Sequence, residues 1–203
     1  QIIAKGYFCN YPIKLQGTEI IMNNSIGLIE VMNVSKGIRV TDEMLKSAGV
    51  TLIHSGAVCP GKFVTVVGGD LSAIQASVDR AVKIADGALI DKFVIGNLGD
   101  KVFEAICGTA VVKEKKALGI VETFTAAAAI EAADAAVKAA VVSLIEVRVA
   151  RGLGGKCFVT MTGEVADVTA AVEAGAKIAA KTGVLINTEV IANPHPDLWE
   201  AVL

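Results

Sequence analysis

One cysteine, Cys59, lies in a segment that could present its thiol for chemistry. Cys59 precedes Pro60, Gly61 and Lys62, directly after an apolar run. Pro60 fixes its own backbone and restrains Cys59, and Gly61 permits a tight turn with close approach of a neighbour. The pattern predicts a rigid loop that carries one thiol. A cysteine in such a loop is either a metal ligand or simply a small residue, and the loop alone does not decide between the two.

The other three cysteines, Cys9, Cys107 and Cys157, lie far apart and form no CxxC pair. This spacing predicts no disulfide framework and is typical of proteins in a reducing cytoplasm. Cys157 begins an apolar segment, so we expect it to be buried. Cys9 and Cys107 are interpreted as residues without a site function.

A second loop is rich in glycine and spans residues 151–156. Its central residues are Gly152, Leu153, Gly154 and Gly155. Backbone amides in such a loop could line an opening that favours anions. An ordinary flexible loop would have the same composition, and both interpretations stay open.

The remaining polar candidates carry weaker signals. Lys46 and Lys138 each follow an aspartate by four residues, which is typical of a helix surface pair. Their recurrence also favours an edge that packs against a neighbour. His54 and His195 have no acid or nucleophile beside them in the sequence and are interpreted as structural. We therefore expect the protein not to be an enzyme.

The elements that position these residues come in two repeats. The segment IGLIEV at 26–31 matches LGIVET at 118–123, at an offset of 92 residues. The segment ALIDKFVIGN at 88–97 matches VLINTEVIAN at 184–193, at an offset of 96 residues. Each repeat is about one small domain long, and two repeats are too few for a solenoid. The sequence therefore predicts two similar domains.

Domain boundaries follow from these matches. We predict one domain over residues 25–111 and a second over 117–203, with the hydrophilic stretch Val112 to Lys116 as the linker. Residues 1–24 form an N-terminal extension to which no role is assigned.

Apolar periodicity predicts the order β-α-β-β-α-β-α in each repeat. The strands of the first repeat are predicted at 26–32, 50–58, 63–67 and 89–95, with helices from Thr41 or Asp42, after Asp70 and over 99–106. In the second repeat, helices are predicted over 126–140 and along the stripe that begins at Val165. This is an α/β (α+β) fold, a split β-α-β arrangement with helices packed on a four-stranded antiparallel sheet.

Composition limits the classes of function. The chain is 53% hydrophobic but only 4% aromatic, so its core consists of small side chains, and oligomerisation would add burial. The net charge is −2, and without a basic stripe we expect no nucleic-acid partner. No stretch is apolar enough to span a bilayer, so we expect no membrane partner.

Together the repeated segments resemble the bacterial microcompartment shell domain. The second repeat carries the resemblance through ALGIVET, EAADAAVKAA, GEVADVTAAVEAGA and NPHPDLW, and the first through SIGLIEV, TDEMLKSAGV and GGDLSAIQASVDRA. VCPGKF at 58–63 and RGLGGKCF at 151–158 are similar to the tandem-domain members found in propanediol-utilisation compartments.

The resemblance implies an assembly and a site. Tandem-domain members form homotrimers, each a pseudo-hexagonal tile, which join other shell proteins around metabolic enzymes in the cytoplasm. The loops between the second and third strands face the symmetry axis, so Pro60, Gly61 and Lys62 and the glycine loop would be pore loops. Lys46 and Lys138 would lie at the tile edge.

The resemblance further implies that Cys59 from three subunits holds one [4Fe–4S] cluster per trimer. Such clusters usually have four cysteine ligands, so the fourth iron would need another donor. The cluster would serve electron transfer or cluster delivery across the shell, and encapsulated redox enzymes would be partners.

Two alternatives stay open. The first is a shell tile with a plain small-molecule pore and no cluster. The second is a soluble α/β ligand-binding protein, which would need convergent polar groups in one pocket.

Overall fold

The structure is a computed structural model that describes residues 25–99, 101–149 and 152–202. The chain forms two compact units that divide between Leu98 and Gly99. The domain boundaries given above, 25–111 and 117–203, stay predictions.

The first unit is a four-stranded antiparallel sheet in the order β2-β3-β1-β4. Its elements are β1 (Ile26–Val31), α1 (Val34–Ser47), β2 (Thr51–Val58), β3 (Lys62–Gly68), α2 (Leu71–Ala85) and β4 (Leu89–Ile95). A single 3-10 turn, Asp86–Ala88, connects α2 to β4.

The second unit repeats this sheet in the order β6-β7-β5-β8. Its elements are α3 (Val102–Ile106), β5 (Ala117–Thr123), α4 (Ala126–Ala139), β6 (Ser143–Arg148), β7 (Cys157–Gly163), α5 (Val165–Lys181), β8 (Leu185–Ile191) and α6 (Pro196–Val202). The short helix α3 packs on β6 and α4. The predicted two-domain fold is therefore confirmed. Among the described residues, no helix has the length and apolar character needed to cross a membrane.

Glycines bring the helices close to both sheets. A Cβ on Gly27 in β1 would lie 2.5 Å from Ile74 Cγ2 of α2. A Cβ on Gly119 in β5 would lie 2.7 Å from Val168 Cγ1 of α5. The repeated glycine of the first strand thus lets the second helix of each repeat approach the sheet, because any larger residue would collide.

The prediction that the first helix starts at Thr41 or Asp42 was wrong, because α1 begins at Val34. Thr41 lies within the helix, and its hydroxyl donates to the carbonyl oxygen of Gly37 at 2.9 Å. This side chain therefore bonds back into its own helix instead of capping a new one. The other elements for which both bounds were predicted begin and end within three residues of the observed bounds: 26–32, 50–58, 63–67, 89–95, 99–106 and 126–140. The helices predicted after Asp70 and from Val165 begin at Leu71 and Val165.

Candidate functional site

The loop between β2 and β3 is short and well defined. The register pairs Val58 with Lys62 and leaves Cys59, Pro60 and Gly61 between the strands. The N–H of Gly61 donates to the carbonyl oxygen of Val58 at 3.0 Å, and the Cys59–Pro60 peptide bond is cis, which makes this a type VI turn. Gly61 has a φ of +93°, a conformation that favours glycine. Pro60 and Gly61 therefore occupy turn positions that suit proline and glycine.

The Cys59 thiol is free and half-buried on this turn. A thiolate is the donor that iron–sulfur clusters use, so the residue type fits such a group. Within the described part of the chain, no group of three or more His, Cys, Asp or Glu side chains could hold a metal ion. Among the described residues of one chain, Cys59 is therefore the thiolate donor that this turn offers.

An ion pair that the sequence analysis missed lies at the base of the turn. Lys62 Nζ is 2.5 Å from Glu30 Oε1, and the two side chains are 13% and 0% exposed. Lys62 was predicted as a loop residue, but it is the first residue of β3. The signal was present, since Glu30 is the only charged residue in IGLIEV and the second repeat has Glu122 and Lys156 at the equivalent positions.

The glycine loop of the second repeat differs in form. Gly152, Gly154 and Gly155 have φ values of +72°, +61° and +94°, so the backbone itself requires glycine at these positions. The N–H of Lys156 donates to the carbonyl oxygen of Leu153 at 3.1 Å. A pore-lining role for residues 152–155 stays a prediction.

Among the other cysteines, Cys157 begins β7 and is fully buried, as predicted. Cys107 is disulfide-bonded. The prediction of no disulfide was therefore wrong at Cys107, because separation along the chain does not limit how closely two segments approach in the fold.

The two candidate edge lysines form equivalent ion pairs. Lys46 Nζ lies 2.6 Å from Asp42 Oδ2, and Lys138 Nζ lies 2.7 Å from Asp134 Oδ2. The hydrogen bond to Asp42, followed by the attraction of its charge, raises the pKa of Lys46. Both lysines are exposed, and their role at a tile edge stays a prediction.

The contacts of the described residues do not place either histidine in a common site with the β2–β3 turn. His54 is 3% exposed within β2. His195 is exposed, and its Nδ1 accepts the N–H of Asp197 at 3.2 Å in the first turn of α6. This contact supports the structural interpretation of His195.

Comparisons with known proteins agree with this architecture. The BMC domain family matches residues 25–98 and 117–194. The shell protein PduT of Citrobacter freundii is 41% identical over 90% of this chain and 99% of its own length. The shell protein EutM of Salmonella typhimurium is 46% identical over 42% of this chain and 86% of its own length.

A solved structure of a microcompartment protein from Desulfitobacterium hafniense matches with a TM-score of 0.79 and 43% identity, over 87% of this chain and 98% of that chain. Both repeats, their sheet order and their similarity to PduT lead to one assignment. The chain belongs to the BMC domain family and is a structural shell protein of a bacterial microcompartment.

Proposed function

We propose that three molecules form a pseudo-hexagonal shell tile in which the three Cys59 thiolates hold one [4Fe–4S] cluster. One observation carries this proposal. The single free, half-buried thiol of the chain's described residues lies on a tight turn between β2 and β3. Other shell proteins of the compartment are the expected partners of the tile.

The donor set supports a site shared between molecules. One chain supplies one thiolate at the turn, and its described residues include no group of three or more His, Cys, Asp or Glu side chains that could hold a metal ion. A threefold axis multiplies one thiolate to three, one fewer than the usual four. The fourth iron then needs a donor from outside the three cysteines.

The chain's own residues contribute position and charge. The Gly61 N–H bond to Val58 fixes the turn at its base, and the Glu30–Lys62 ion pair anchors the first residue after it. When bound, such a cluster supplies one-electron redox chemistry. The proposed role is therefore a redox-active tile within the shell.

Anaerobic reconstitution with iron and sulfide tests the cluster. We expect the wild type to become brown, to show an EPR signal after reduction, and to contain about four irons per three chains. Cys59→Ala should lose the colour, the iron and the signal while it keeps the same oligomeric state.

Cys157→Ala is the matched control, because Cys157 is fully buried at the start of β7. It should keep the cluster. A wild type that stays colourless after reconstitution would contradict the cluster proposal and favour the alternative of a shell tile with a plain small-molecule pore. A monomeric wild type would overturn the tile itself.

A further inference from the structure

Lys62 belongs both to the turn that carries Cys59 and to the ion pair beside it. It is the first residue of β3, and its register partner is Val58, which directly precedes Cys59. Its Nζ lies 2.5 Å from Glu30 Oε1. A restraint on the Lys62 side chain is therefore also a restraint on the strand end at which the turn closes.

The ion pair has a fixed place on the sheet. Glu30 of β1 lies opposite Val64 of β3, two residues beyond Lys62. Because side chains alternate between the two faces of a strand, Lys62 and Val64 share one face, and a long side chain reaches such a diagonal neighbour. Phe63 lies against Gly37 of α1. The ion pair therefore lies on the face of the sheet that α1 does not cover.

The burial of this pair restrains both partners. The Glu30 side chain is 0% exposed and the Lys62 side chain is 13% exposed. Separating two buried charges costs far more than separating an exposed pair, because water does not compensate each charge. A lysine ammonium on its flexible stem normally samples many positions. The Glu30 carboxylate thus holds this ammonium in one place beside the turn.

The second repeat shows that this fold does not require the pair to be buried. Glu122 and Lys156 pair at the equivalent positions, and both side chains are partly exposed. The loop of residues 149–156 contains no cysteine. The buried pair therefore occurs beside the turn that carries a thiol, and the exposed pair occurs beside the loop that carries none.

We propose that Glu30 is a positioning residue for Cys59 and that it acts through Lys62. Its carboxylate holds the ammonium beside the turn, which keeps the turn closed and keeps the net charge of the pair at zero. This inference deepens the proposed function and rests on it wherever the cluster is concerned. The restraint on the thiol exists without the cluster.

In the cluster-free protein, the restraint limits the reaction of the thiol. Cys59 is half-buried, so a reagent reaches it more easily when the turn opens. Glu30→Gln weakens the hold on Lys62, and it also removes a negative charge beside the turn, which favours the thiolate. Both effects raise the rate at which the Cys59 thiol is alkylated.

Alkylation of the cluster-free protein with iodoacetamide measures this effect. Mass spectrometry of digested samples follows the peptide that contains Cys59. We expect the rate constant to rise by about tenfold or more in Glu30→Gln. Glu122→Gln is the matched control and should keep the wild-type rate, because it changes the exposed pair of the other repeat.

A second control separates positioning from a general loss of stability. Met44 is fully buried in the core of the first unit, so Met44→Ala destabilises that unit through a cavity and leaves the ion pair in place. Its Cys59 should be alkylated at the wild-type rate. Equal rates in Met44→Ala and Glu30→Gln would overturn the positioning role.

The midpoint potential of the reconstituted protein measures the effect of charge. Reduction adds negative charge to the cluster, so the loss of one carboxylate from each of three molecules favours the reduced state. In a redox titration followed by EPR, Glu30→Gln should shift the potential to more positive values, whereas Met44→Ala should not shift it. An unchanged potential in Glu30→Gln would overturn the part of the proposal that concerns charge.

A double variant keeps the test valid if Glu30→Gln does not fold. Glu30→Gln combined with Lys62→Met removes both charges, so neither charge of the pair stays buried alone. We expect this variant to fold, to be alkylated faster than the wild type and to have a potential close to that of the wild type. Alkylation at the wild-type rate would overturn the positioning role.

The two proposals can fail separately. A wild type that binds no cluster, together with faster alkylation in Glu30→Gln than in Met44→Ala, would overturn the proposed function and support the positioning of the thiol. A wild type that binds the cluster, together with alkylation of Glu30→Gln at the wild-type rate, would overturn the positioning role while the proposed function stands.

Discussion

The two repeats keep the same ion pair in different surroundings. In the first repeat, Glu30 and Lys62 are 2.5 Å apart, with the carboxylate fully buried. In the second, Glu122 and Lys156 are 3.4 Å apart, and the two side chains are 32% and 47% exposed. Both pairs join the first strand of a sheet to the start of its third strand. Residue identity and register are therefore conserved between repeats while burial is not.

This difference shows how a duplicated chain can specialise. Lys62 of the buried pair directly follows the tight turn that carries Cys59. Lys156 of the exposed pair follows a longer loop rich in glycine. A buried pair holds its partners in one arrangement, because each charge loses its compensation when the other leaves. An exposed pair is compensated by water and contributes little.

The largest effect is expected from removing one charge of the buried pair. Glu30→Gln removes the Glu30 carboxylate from the largely buried Lys62, so we expect the first unit to lose about 3 kcal/mol of unfolding free energy. Glu122→Gln should cost at most about 1 kcal/mol, because its pair is exposed. Urea denaturation of both variants measures the two losses. Equal losses would contradict the comparison.

A second difference between the repeats concerns volume. Gly37 in α1 lies against Phe63, and an added Cβ would collide with the ring. The equivalent positions in the second repeat hold Ala129 and Cys157, both fully buried. In the second repeat, the larger helix residue (Ala129 in place of Gly37) thus occurs together with the smaller strand residue (Cys157 in place of Phe63). This exchange also explains Cys157 as a packing residue.

An intermediate effect is therefore expected from Gly37→Ala, which should destabilise the first unit by about 2 kcal/mol through overpacking. Adding Phe63→Cys to Gly37→Ala reproduces the combination of the second repeat. We expect the double variant to be more stable than the sum of the two single losses predicts. A thermodynamic cycle from urea denaturation measures the coupling, and strict additivity would refute the volume exchange.

The smallest effect is expected at the equivalent aspartates. Asp134→Ala loses both the Lys138 ion pair and the bond from the Gly99 N–H, which should cost about 1.5 kcal/mol. Asp42→Ala loses only an exposed pair with Lys46 and should cost about 0.4 kcal/mol. Both losses are measured by urea denaturation of the single variants. A larger loss of unfolding free energy for Asp42→Ala than for Asp134→Ala would contradict this expected order.

The sequence predicted much of the fold because its signals are local. Alternating apolar residues and the glycine of IGLIEV gave the first strand, and Pro60 with Gly61 gave the turn. The start of α1 was missed because Ser35, Lys36 and Gly37 have the composition of a loop, and tertiary packing overrides their weak helix preference.

The differences between repeats could not be predicted in the same way. Ile38 and Ile130 are the same residue type, yet their exposures are 59% and 0%. Which of two equivalent helix faces is covered depends on contacts between distant segments, and no local pattern encodes it. The burial of Glu30 has the same origin.

The exchange of volume between helix and strand limits how the two halves of the gene can recombine. A conversion event that copied only β3 over β7 would bring a phenyl ring to the position across from Ala129, and the reverse event would leave a void beside Gly37. Only transfers that carry helix and strand together preserve the packing. A short tract that carried the helix without the strand, or the strand without the helix, would therefore destabilise the repeat that received it.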